Sequence, residues 1–148
     1  MIANFGHWTA ESFDLIAERA YQLHLQGRHG QALTIICGLL ALDPGNPYCL
    51  DAAAALSLML GWPQDALQYA SRLLDIYPHH SRALARRCEA NLLLGRLHEA
   101  RNDLNLLQRA GNQELYRQAR MRVKAAYSII LDRPTNTERL GPLKTITG

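Results

Sequence analysis

The chain has 148 residues, 48% of them apolar, and a net charge of +3, which suits one domain with its own core. No apolar run approaches the ~18–20 residues of a membrane span, and Met1–Trp8 lacks the basic-then-apolar order of a secretory signal. The charge is mild and mixed in sign along the chain, which argues against nucleic acid as a partner.

Residues 1–8 carry Ile2, Phe5 and Trp8 among polar neighbours, too few for a helix of their own. Thr9 has the character of an N-cap, with Glu11 in the first turn. A first helix is predicted to about Gln26, with Phe13, Ile16, Ala17, Ala20 and Leu23 at helical spacing, and Gly27 takes the turn. A second covers about Gly30–Leu42, with Leu33, Ile36, Cys37 and Leu40 inward, until Asp43-Pro44-Gly45-Asn46-Pro47 stops it. The next pair spans about Pro47–Leu60 and Pro63–Tyr77, each proline at a first helical position. Pro78-His79-His80-Ser81 punctuates the chain, with His80 or Ser81 as cap. The third pair runs about Ser81–Leu94 and Leu97–Ala110, and Gly111-Asn112 supplies left-handed geometry at its end. A seventh helix, about Gln113–Leu131, carries Leu115, Ala119, Val123, Ala126, Tyr127 and Ile130 on one stripe. Asp132-Arg133-Pro134 ends it, and the polar tail 135–148 is expected to be flexible.

These elements repeat. Gly27, Gly61 and Gly95 recur 34 residues apart, as do Ala32, Ala66 and Ala100, then Ala20, Ala54 and Cys88, then Leu39, Leu73 and Leu107. A 34-residue helix–turn–helix period is the signature of tetratricopeptide repeats. The expected fold is an all-α, right-handed solenoid in one domain, residues 1–134. It comprises helical hairpins at about 13–46, 47–80 and 81–112 and a cap helix at about 113–132. The small residues are predicted to sit where two helices touch. Arg19 and Arg87 stand where a leucine often packs.

In this architecture the first helix of each pair lines the concave surface. That predicts a groove formed by Ala17, Tyr21 and His24, then Tyr48, Asp51, Ala52, Ala55, Leu58 and Met59, then Arg82, Ala85, Arg86, Glu89 and Leu93. Such a groove is apolar with aromatic anchors in its first two repeats and charged in its third, which suits a peptide with a few apolar anchors. Catalysis is not expected. The histidines form no Cys–His or Ser–His–Asp pattern, Cys37, Cys49 and Cys88 read as reduced buried thiols, and no metal or cofactor is implied.

The segments A-Y-Q-L-H-L-Q-G (Ala20–Gly27), L-D-P (Leu42–Pro44) and C-E-A-N-L-L-L-G-R-L-H-E-A (Cys88–Ala100) resemble the class II chaperones of bacterial type III secretion, which have three tetratricopeptide repeats and a final helix. The resemblance implies a bacterial cytoplasmic protein that holds a secreted translocator subunit in its groove before export, as a homodimer or heterodimer. Tyr21 and His24 fall where that family often has aromatic anchors. The chaperone of the needle subunit is a related possibility. Compared with cochaperones that clamp the C-terminal carboxylate of Hsp70 or Hsp90, Arg82 and Arg86 match the third-repeat cations. Ala17, Tyr21 and Ala52 replace the earlier clamp residues. The rival expectation is a generic tetratricopeptide adaptor in a multiprotein assembly.

Overall fold

A computed structural model of the protein describes residues 9–131. The described residues form α1 (Ala10–Leu25), α2 (His29–Leu42), α3 (Pro47–Met59), α4 (Pro63–Ile76), α5 (Ser81–Leu93), α6 (Leu97–Ala110) and α7 (Gln113–Leu131), with no strand among them. The expectations about Ile2–Trp8 and about residues 132–148 lie outside the described residues.

Two different devices start the helices. The first helix of each hairpin, and α7, carries a side-chain cap. Thr9 Oγ1 accepts from the Ser12 N–H at 3.1 Å, Asn46 Oδ1 from Cys49 at 3.1 Å, His80 Nδ1 from Ala83 at 3.2 Å, and Asn112 Oδ1 from Leu115 at 3.1 Å. Between the two uncertain cap residues of the third hairpin, the structure therefore selects His80. The second helices α2, α4 and α6 follow glycine turns and have no side-chain cap. Gly27, Gly61 and Gly95 all adopt φ near +74° (75, 74 and 73), a conformation only glycine takes freely. The next residue then bonds back over the helix end: Arg28 N–H to Leu23 O at 2.9 Å, Trp62 to Ser57 and Arg96 to Asn91 at 2.8 Å. That is a Schellman closure, which satisfies carbonyls the helix end would otherwise leave open.

The repeats stack into one continuous core. Ala54, Ala32, Ala66 and Ala100 are fully buried, and Ala20 and Cys88 nearly so. Cys88 Sγ also donates to the Ala100 carbonyl at 3.3 Å, tying the third hairpin shut. Because Ala54 is fully buried between packed helices, Ala54→Leu should cost ~1–3 kcal/mol of stability by overpacking. Urea denaturation measures this, and an unchanged midpoint would refute the assigned register of the repeat.

Two expectations need correction. Cys37 is only half-buried, and its sulfur lies 3.4 Å from the hydroxyl of Tyr69 on α4, a polar partner at the edge of the core. Ile130 is exposed, because the last turn of α7 extends past the helices that cover the rest of its stripe.

Arg87 is no misplaced leucine. Its Nη2 and Nε donate to Asp103 Oδ1 at 2.6 and 2.9 Å, and Asn91 Nδ2 donates to Oδ2 at 3.2 Å. Asp103 on α6 is buried, so this is a paired charge between the two helices of the hairpin. Burial pushes the Asp103 carboxyl above its ordinary value, against the pull of Arg87 and then Asn91.

α7 packs on α5 and α6. Ala119 and Val123 are buried, with Leu115, Tyr116 and Tyr127 against the same core. Counting from the caps Asn46, His80 and Asn112, Arg120 occupies the place of Ala54 and Cys88, the position where a hairpin partner would touch. The hollow beside it, about 430 Å³, carries Arg101, Arg120 and Lys124 around Leu104, Val123 and Tyr127. The Arg101 guanidinium lies 6.0 Å above the Tyr127 ring, within the range of a cation–π contact.

Candidate functional groove

α3 packs directly on α5 and α5 on α7, whereas α1 and α3 are held together mainly through α2. A hollow of about 180 Å³ opens between α1 and α3. Tyr21, His24, Tyr48, Ala52, Ala55, Met59 and Arg86 line it over a floor of Ala20, Ile36 and Leu56. The small side chains Ala52 and Ala55 leave the space, and Tyr21 and Tyr48 flank it, each about half exposed. Burial, then the neighbouring Cys49, Glu18, Tyr21 and Asp51, hold the Tyr48 phenol above its ordinary value. It therefore stays protonated and able to donate a hydrogen bond. His24 Nδ1 lies 3.2 Å from His29 Nδ1, so the ring is steered at the edge of the hollow.

A second hollow of about 160 Å³ lies between α5 and α7, lined by Arg82, Ala85, Arg86, Glu89, Leu115, Gln118, Ala119 and Arg122. Arg86 belongs to both hollows. Its Nε donates to Oδ1 of the buried Asp51 at 2.7 Å, and Arg82 Nε approaches the other oxygen at 3.4 Å. Arg122 Nη1 donates to Glu89 Oε2 at 2.7 Å.

The residues expected in the groove thus divide. Tyr21, His24, Tyr48, Ala52, Ala55, Met59 and Arg86 meet at the first hollow. Arg82, Ala85 and Glu89 join Arg86 at the second. Asp51 is buried beneath the two arginines. Ala17 belongs to the core instead, because it lies one turn from Ala20 on the face packed inward. Leu58 is half-buried and Leu93 exposed, and neither lines either hollow. Sequence reasoning missed Leu115, Gln118, Ala119 and Arg122, having read α7 only as a cap. Asn112 was a partial signal: counted from the caps, the equivalents of Arg82, Ala85, Arg86 and Glu89 on α7 are Glu114, Arg117, Gln118 and Met121, and of these only Gln118 lines the hollow.

Burial pushes the Cys49 thiol up to about 11 and the Cys88 thiol up to about 12, so neither offers a thiolate at neutral pH. Among the described residues no three metal-ligating side chains converge, and no helix is long and apolar enough to cross a membrane.

No protein-family model matches the chain. Human FK506-binding protein-like is 37% identical over 94 residues, a match covering 59% of this chain and 27% of that protein. The chain therefore spans about a quarter of the curated relatives it matches, the rat protein included. Among solved structures, the Yersinia enterocolitica type III secretion translocator chaperone SycD superimposes with a TM-score of 0.76 at 18% identity, covering 84% of this chain and 90% of SycD. Pseudomonas aeruginosa PcrH in complex with the chaperone-binding region of PopD also gives 0.76 at 18%, covering 85% and 98%. The first tetratricopeptide domain of Spaghetti (RPAP3) bound to an HSP90 peptide gives 0.71 at 20%, covering 82% and 98%. At these identities the likeness establishes the fold: the chain is an all-α tetratricopeptide solenoid, and its structure resembles the class II chaperones among others.

Proposed function

We propose that the chain is a non-catalytic chaperone that holds an export substrate of a type III secretion system, a translocator or needle subunit, in its concave groove within the bacterial cytoplasm. The observation that carries this reading is the apolar hollow between α1 and α3, flanked by two half-exposed tyrosines and floored by core side chains. Two solved proteins of the same fold are a translocator chaperone and a protein bound to the chaperone-binding region of PopD, which supports the choice of partner.

Binding energy in peptide grooves concentrates in a few aromatic anchors. Tyr21→Ala and Tyr48→Ala should each weaken binding of the export segment by ~1–3 kcal/mol, which is about five-fold to more than a hundred-fold. Helix content should not change, because both side chains are half in solvent already. Co-expression and pull-down with candidate translocator and needle subunits identifies the partner. Calorimetric titration beside circular dichroism then measures the loss, and parent-like binding by both variants would rule the groove out.

A second reading, an adaptor in a multiprotein assembly, draws on the 37% identity to FK506-binding protein-like and on the RPAP3 domain with its HSP90 peptide. Retention of an HSP90 C-terminal peptide, lost on amidating its terminal carboxylate, with no export substrate retained, would favour the adaptor.

A further inference from the structure

We infer that the segment held in the groove carries an acidic side chain, Asp or Glu, which the arginines of the second hollow receive while an apolar side chain fills the first. This rests on the groove reading above and specifies the chemistry of its occupant.

The second hollow has an excess of cations. Arg82 and Arg86 on α5 and Arg122 on α7 face two carboxylates, Asp51 and Glu89. Asp51 is buried and already shared by two guanidinium groups. A guanidinium has five N–H donors. Arg82 Nε approaches Asp51 at 3.4 Å, and Arg122 donates to Glu89 through Nη1. Both side chains are more than half exposed, at 62% and 53%. Their remaining donors are open to the groove, beside apolar walls from Ala85, Leu115 and Ala119. Where water is partly excluded, a charge interaction strengthens.

The occupant's chemistry follows by elimination. An apolar side chain in this hollow would take water from the open donors of Arg82 and Arg122 and return nothing. A lysine would add a fourth cation. A carboxylate balances the charge and accepts charge-assisted hydrogen bonds from more than one guanidinium. Arg86 fixes the junction, since Asp51 anchors it and it lines both hollows. A segment leaving the apolar hollow therefore meets arginine next. Neighbouring helices lie ~8–10 Å apart, and an extended chain advances ~3.3 Å per residue. Two helix spacings then place the acidic residue about five residues from the apolar anchor.

The test is a displayed library of random 15-residue peptides selected on the full chain. Synthetic versions follow, blocked at both ends so that only side-chain carboxylates count. Selected peptides should pair an aliphatic or aromatic residue with Asp or Glu about five positions away. Replacing that Glu by Gln should weaken binding about tenfold. Combining Arg82→Gln with Arg122→Gln should erase the difference between the two peptides. If that double variant fails to fold by circular dichroism, the Glu-to-Gln comparison on the parent decides alone, and raising the salt should shrink its gap. Peptides with apolar anchors but acidic residues at library frequency would overturn the inference and leave the groove standing. Enrichment unchanged by Tyr48→Ala, or no enrichment at all, would instead remove the groove reading, and the inference with it.

Discussion

Ending the chain at Asn112 should abolish the cooperative melt and turn the protein into an aggregate. The deletion removes α7, whose Ala119 and Val123 are buried and whose Leu115, Tyr116 and Tyr127 pack against the common core. It also uncovers the faces of α5 and α6 that α7 covers. A fully buried side chain of valine or leucine size contributes ~1.5–3 kcal/mol. Several lost together approach the whole stability of a domain, ~5–15 kcal/mol. The exposed apolar patch then drives association. Size-exclusion chromatography with light scattering, beside a thermal scan, reads both effects. A monomer with the parent's transition would show that the three hairpins close their own core.

Arg87→Met should lower the unfolding free energy by about 3–5 kcal/mol at pH 7, because it leaves Asp103 buried without its cation. The loss should be specific to the ionised carboxylate, and that fixes its pH dependence. Burial raises the Asp103 pKa, while Arg87 and Asn91 lower it. Without Arg87 the folded value rises further above the unfolded one, ~3.9. A carboxyl with a raised folded pKa favours the native state at acid pH, and that contribution is lost as pH rises through the folded value. The deficit of the variant against the parent should therefore be large at neutral pH and shrink as pH falls through the new Asp103 pKa. Asp103→Asn in the same chain should restore most of the loss at pH 7, since Asn91 still has a partner and no charge remains. Urea denaturation of parent, single and double variants across pH measures all three, and a deficit independent of pH would mean that lost packing, not the stranded charge, is responsible.

The frame of this molecule was legible because its punctuation is local. Gly27, Gly61 and Gly95 demand left-handed turns, Pro47 and Pro63 open helices, and the 34-residue step ties equivalent contacts together. Helix limits from those signals agree with the structure to within a residue or so. What stayed hidden depends on how helices cross. Ala17 turns into the core and Leu58 away from both hollows, although both sit at concave-facing repeat positions. Arg87 looked like a departure from the repeat until Asp103 appeared opposite it. The residues of α7 that complete the charged hollow come from a helix that follows the repeats with a shifted step: Ala54 and Cys88 are 34 apart, whereas Arg120 follows after 32. A strict 34-residue step from Arg82, Ala85, Arg86 and Glu89 reaches Ala119 but misses Leu115, Gln118 and Arg122.

The arginine on α7 at the hairpin-contact position also bears on assembly. Solenoids whose terminal face remains apolar can join head to tail, and contacts of that kind propagate into open filaments because no rotation closes them. Here the described face of α6 and α7 presents Arg101, Arg120 and Lys124, so an apolar surface or helix docking on it would bury these cations without a partner. The array of described helices thus closes on α7 with charged side chains where a hairpin contact would fall. Lengthening it by grafting on another repeat would first require small, uncharged side chains at these positions.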